Sequence, residues 1–192
     1  RDRSVSRGLG DVYKRQDVKS VDGIKIVHHN IFTNKIAYIN MSFDTKCVPD
    51  ELIPYMGLLG STLSLMDTKN YTYPELTNEI NINCGGLATG TALYSDKVDF
   101  SKNTIVYEVK SKALYEKVPF VLGMMEEIMY NTRFDDYKRL KEIIARIKSR
   151  LEASLMGQGH SIAMLECCAQ FSESAYYSDI LRGCLLYTSP SP

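Results

Sequence analysis

Residues 72–94, TYPELTNEININCGGLATGTALY, pass from a helical to an extended pattern within a few positions. Thr72 followed three residues later by Glu75 forms a capping box. Pro74 falls in the first helical turn, where its missing N–H has no intrahelical acceptor to lose. The spacing predicts a helix to about Ile80 that closes before Gly85 and Gly86. Leu87 to Tyr94 is then small and threonine-rich and reads as a strand. Thr104 to Lys110 puts Ile105, Tyr107 and Val109 on one face of a second strand.

Upstream, Gly23 to His28 alternates and is rich in β-formers. Ala37, Ile39, Met41 and Phe43 alternate with Tyr38, Asn40 and Ser42. Asn30 and Asn34 serve as turn residues between these two strands. From Glu51 the period changes. Leu52, Tyr55, Met56, Leu59, Leu63 and Met66 step by three and four, which predicts a helix to Met66 with one buried stripe and Pro54 in its first turn. Downstream, Leu114 to Tyr130 is helical, with regular geometry from about Pro119. Asp135 to Leu155 has the longest helical pattern, with its apolar row at Leu140, Ile143, Ile144, Ile147, Leu151 and Leu155. Its charged positions, Arg146, Lys148, Arg150 and Glu152 among them, read as a solvated face. Gly157 and Gly159 should end it. Ser161 can cap a short helix to Phe171, and a last helix covers about Ser174 to Leu181.

The predicted order is β-β-α-α-β-β-α-α-α. Strands arrive in adjacent pairs instead of alternating with helices. That predicts an α+β fold, one mainly antiparallel sheet packed by helices, over a doubly wound fold.

The two ends are expected to be foreign to this fold. Leu185 to Ser189 can be written CTC TTA TAC ACA TCT. Its reverse complement, shifted in frame, begins GAT GTG TAT AAG AG, which encodes Asp11 to Arg15. Protein termini have no reason to be reverse complements, so residues 1–16 and 184–192 read as translated sequencing adaptor, leaving residues 17–183 as a single domain. Without those ends, 18 basic and 21 acidic residues remain, a net of −3. The basic N-terminal arm disappears, and with it any case for a nucleic-acid partner. No window approaches the roughly 18 consecutive apolar residues of a membrane helix. The five cysteines, Cys47, Cys84, Cys167, Cys168 and Cys184, include no CxxC pair and read as reduced thiols of a reducing compartment such as the cytoplasm.

The remaining features read first as structural. His28 and His29 point to opposite sides of a strand and cannot share a metal well. His160 sits at a predicted helix start. The vicinal Cys167 and Cys168 suit close packing. Gly85 and Gly86 are followed by no GxxxxGK[ST] pattern and serve a turn. Glu126 and Glu127 read as a solvated pair.

Gly23 to His29, Met66 to Leu76 followed by Gly85 and Gly86, and Ser154 to Ser161 together resemble the third domain of presequence proteases, a branch of the insulinase-like (pitrilysin-type) zinc metallopeptidases. The resemblance spans nearly all of residues 17–183. It implies a non-catalytic, peptidase-associated domain within a four-repeat enzyme closed around a peptide chamber. Zn²⁺ would lie elsewhere in the parent enzyme, and the partners would be its other repeats and a peptide substrate. The family's catalytic helix carries His-x-x-Glu-His. The matching positions here are Leu58 to Thr62, so the resemblance implies no catalytic and no metal residue in this segment. It also implies that the strand containing Leu87, Ala88, Thr89, Gly90 and Thr91 lies near a sheet edge and faces the chamber. A processing-peptidase-like core subunit and a standalone peptide-binding module are the alternatives.

Overall fold

The computed structural model describes residues 16–96, 98–99 and 102–182. The two expected foreign ends lie outside these residues except at Gln16, which opens a strand. The described residues form two units, divided after Ile36.

In the first unit, β1 (Gln16–Val21) and β2 (Ile24–His29) form an antiparallel hairpin with Asp17 opposite His28 and Val21 opposite Ile24. Asp22 and Gly23 turn the chain with φ of 50° and 81°. A two-residue hairpin needs that left-handed pair, and an Asp-Gly dipeptide adopts it readily. This is one strand more than the predicted order contained. Val18 and Val21 are three residues apart, so β1 has no two-residue apolar period, and its side chains from Asp17 onward are exposed.

The second unit holds β3 (Ile36–Asp44) from Ala37 onward, then α1 (Ile53–Thr62), α2 (Tyr73–Asn83), β4 (Leu87–Ser95), β5 (Asn103–Leu114), α3 (Val118–Tyr130), α4 (Tyr137–Ala169) and α5 (Glu173–Arg182). Its sheet has the order β3-β5-β4, and β4 runs antiparallel to β5 with Gly90 opposite Glu108 and Thr91 opposite Tyr107. Ile105, Tyr107, Val109 and Ala113 project from one face of β5 into a core completed by Met56, Leu63, Leu76, Val121, Met125 and Ile128. The chain is α+β, as its strand pairing indicates, with antiparallel strands packed by helices. No helix among the described residues is long and apolar enough to cross a membrane.

Local signals account for the helix starts. The backbone N–H and hydroxyl of Thr72 both donate to Glu75 Oε2, at 2.9 and 2.7 Å. The Thr72 N–H holds the Glu75 carboxyl below its ordinary value. Asp136 caps α4 by accepting the Arg139 N–H at 2.9 Å.

Two helices depart from expectation. α1 ends at Thr62, followed by a 3-10 turn over Leu63–Leu65. The expected single stripe divides: Met56, Leu63 and Met66 are buried, whereas Tyr55 is 63% exposed and Leu52 50%. The face toward the sheet is centred on Ile53, Met56 and Gly60, because a glycine lets the helix approach more closely than a leucine row would. α4 does not stop at its glycines. Only Gln158 leaves helical geometry, with φ −126° and ψ 20°. One displaced residue kinks a helix without ending it, so Ser161 caps nothing and His160 is an exposed residue just beyond the kink.

Gly123 lies exposed in α3, and a Cβ there would meet no atom within 4 Å. Gly123→Ala should therefore stabilise the protein by about 0.5–1 kcal/mol through helix propensity and a less flexible unfolded chain. A raised denaturant midpoint at unchanged slope would register the gain; an unchanged or lowered midpoint would contradict it.

Candidate functional site

β4 is the terminal strand of its sheet among the described strands, with one long edge on β5. Its start is pinned by the glycine turn. Gly86 has φ 115°, the Gly85 N–H donates to Lys112 O at 2.7 Å, and Ser111 Oγ donates to Gly86 O at 2.8 Å. The register places Leu87, Thr89 and Thr91 on the helix-covered face and Ala88 and Gly90 on the other.

α1 crosses β4 at a glycine pair. A Cβ on Gly60 would lie 2.7 Å from Gly90 Cα and 3.2 Å from Gly90 N. Thr89 Oγ1 donates to Gly60 O at 2.8 Å and fixes the crossing. Beside it, Thr89 to Thr91, then Gly57, Leu58, Gly60 and Ser61 of α1, Ile147, Arg150 and Leu151 of α4 and Leu181 of α5 border a groove of about 390 Å³. A second, more apolar hollow of about 620 Å³ lies between α1 and the start of α4, where Leu52, Tyr55 and Leu59 face Leu140 and Ile144. It holds the half of the α1 stripe that the core did not take.

Leu58 to Thr62, where the resemblance places the catalytic motif, does not suit Zn²⁺. Leu58 offers only hydrocarbon. Ser61 Oγ donates to Gly57 O and Thr62 Oγ1 to Leu59 O, each at 3.1 Å, so both hydroxyls are engaged by their own helix. Zinc in proteins is held by imidazole, thiolate and carboxylate, and this run contains none of them. Among the described residues no group of three or more His, Cys, Asp or Glu side chains is placed to hold a metal ion. His28 and His29 lie in the hairpin, and His160 lies on α4.

Two buried carboxylates organise the surroundings. Glu108, 4% exposed, accepts from Asn40 Nδ2 at 2.9 Å and Tyr94 Oη at 2.8 Å, and pairs with Lys110. Burial raises its pKa, but these donors outweigh burial and hold it below the ordinary value. The same hydrogen bond pushes the Tyr94 hydroxyl up. Glu127 corrects the expected solvated pair: Glu126 is exposed, but Glu127 is buried. It accepts the Asn70 backbone N–H at 3.0 Å, Asn70 Nδ2 at 2.8 Å and Asn131 Nδ2 at 2.8 Å, which ties α3 to the loop before α2. No sequence period reveals this, because Asn70 and Glu127 are 57 positions apart. Arg150 likewise reads as one charge of a solvated helix face until α4 is placed beside β4.

The family described as peptidase M-16C associated matches residues 6–188. Protein HypA of Clostridium perfringens is 36% identical over 165 residues, covering 86% of this chain and 17% of that protein. Presequence protease 1, chloroplastic/mitochondrial, of Arabidopsis thaliana is 27% identical over 184 residues, 93% of this chain and 17% of that protein. The mitochondrial presequence protease of Yarrowia lipolytica is 30% identical over 151 residues, 79% and 15%. The chain thus spans about one-sixth of the length of these curated relatives.

Proposed function

This chain belongs to the peptidase M-16C associated family, and we propose that it is a non-catalytic, chamber-forming domain of a longer zinc-dependent oligopeptidase that degrades short unfolded peptides. In this reading its partners are the other repeats of the same polypeptide and the peptide substrate. Zn²⁺ is held by a different repeat, and residues 87–91 on β4 face the chamber.

The observation that carries the reading is the glycine crossing of α1 and β4. A helix that binds zinc in front of a strand must hold imidazoles and a carboxylate between them. Here Gly60 leaves no room for even a methyl group against Gly90. The flanking hydroxyls of Ser61 and Thr62 are bonded to the helix backbone. The crossing is built for packing, which suits a supporting role.

The expected result is that the purified chain holds no stoichiometric zinc and cleaves no peptide. The parent protein, recovered by extending the reading frame upstream, should carry a His-x-x-Glu-His helix, bind zinc and lose peptide cleavage to a chelator. Stoichiometric zinc on this chain, lost on His160→Ala, would overturn the proposal. So would a parent without the motif, which would favour a scaffold subunit.

A further inference from the structure

We propose that the groove between β4 and α4 is a peptide subsite that takes an apolar residue next to an acidic side chain. This deepens the proposed function and rests on its premise that unfolded peptides reach β4.

The groove brings together what an extended peptide needs. β4 is the terminal strand among the described strands, and such a strand can offer main-chain groups to an added one. The α1 and β4 sides of the groove include Gly57, Gly60, Ser61 and Gly90, so part of that wall is bare backbone open to a second chain. On the opposite wall Ile147 and Leu151, one helical turn apart, are half-buried and line the groove. In this helix of 33 residues only Ile143 is fully buried, and these two keep part of their apolar surface exposed. The volume of about 390 Å³ falls within the roughly 300–1,000 Å³ of ligand sites.

Arg150 supplies the charge preference. It lies between the two apolar residues and lines the same groove. Arg139 and Lys148 on this helix face Glu142 and Glu152, whereas Arg150 has no ion-pair or hydrogen-bond partner among the described residues. A guanidinium offers two parallel N–H donors to a carboxylate and repels an ammonium. The whole chain has equal numbers of basic and acidic residues, and residues 17–183 alone carry 18 basic and 21 acidic, a net of −3 that would not attract an acidic peptide. A preference for acidic peptides would therefore come from this position and not from a long-range field. The larger hollow near Tyr55 lacks an equivalent cation in its lining, so it would not give such a preference.

The test uses the 192-residue chain and two labelled unfolded peptides of equal length, one presenting Leu-Asp and the other Leu-Lys, with binding read by fluorescence anisotropy. The acidic peptide should bind about fivefold tighter, the scale of a partly exposed charge-assisted pair. Arg150→Gln should abolish the preference and Arg150→Glu reverse it, with the melting temperature unchanged because Arg150 is exposed. Leu151→Ala should weaken both peptides together. Equal affinities in the unaltered chain, a preference that survives Arg150→Glu, or no binding of either peptide would overturn the subsite. Zinc-dependent cleavage by the parent would leave the domain's proposed role standing in each of those cases.

Discussion

Gly60→Ala should destabilise the protein by about 3 kcal/mol, the upper end of what overpacking a close contact costs. That lowers the melting temperature of a chain this size by about 6–12 °C. The added methyl would sit 2.7 Å from Gly90 Cα and 3.3 Å from Thr89 O. These are backbone atoms of a paired strand and cannot swing away as a lysine tip could. α1 would have to lift, weakening the Thr89 hydroxyl bond to Gly60 O and loosening Met56 in the core. Intrinsic propensity acts the other way, since alanine is better than glycine in a helix by about 1 kcal/mol. The sign therefore separates the two effects. Gly90→Ala is the matched control: its methyl enters open space, and the change should stay within about 0.5–1 kcal/mol. A Gly60→Ala variant as stable as the parent sequence would show that α1 and β4 are not in close contact.

Removing Glu127 should cost about as much, for an electrostatic reason. Glu127→Ala leaves the Asn70 N–H, Asn70 Nδ2 and Asn131 Nδ2 without their acceptor. Stranding donors that served a charged group costs about 3 kcal/mol. Glu127→Gln keeps the shape and one acceptor oxygen and should lose roughly half of that. A pH dependence follows. Burial alone would raise the Glu127 pKa, but the donors from Thr68, Asn70 and Asn131 outweigh it and hold the group below 4.5. A carboxyl with a depressed folded value binds fewer protons folded than unfolded. Its contribution is complete above pH 4.5, the ordinary value, and is lost as pH falls through the lower folded value. Glu108 acts in the same direction. Denaturant midpoints measured from pH 7 downward should fall on the acid side of pH 4.5. Glu127→Gln should make that fall shallower, and an acid limb of unchanged steepness would exclude Glu127 from it.

The sequence by itself determined the features that depend on residues a few positions apart. Thr72, Pro74 and Glu75 set the start of α2 as read. The two-residue period of Ile105, Tyr107 and Val109 identified the buried face of β5. Strand pairing in the chain order gave the α+β class. The motif positions at Leu58, Ser61 and Thr62 contained no zinc donor before any fold was known. β1 was legible only in the Asp22–Gly23 dipeptide, because a strand with exposed side chains carries no burial pattern.

Tertiary structure decided what depends on partners far along the chain. Glu126 and Glu127 are indistinguishable in sequence, and only the loop at Asn70 makes one a buried anchor. The α1 row divides because Gly60 meets Gly90, 30 positions away, so the helix turns its glycine face and not its leucine row toward the sheet. Arg150 acquires a role only where α4 lies beside β4. Caps and periods are local hydrogen-bond and packing rules, so one segment suffices to state them. Which face is buried, and which charge is left unpaired, depends on close packing between segments that the chain brings together only when it folds.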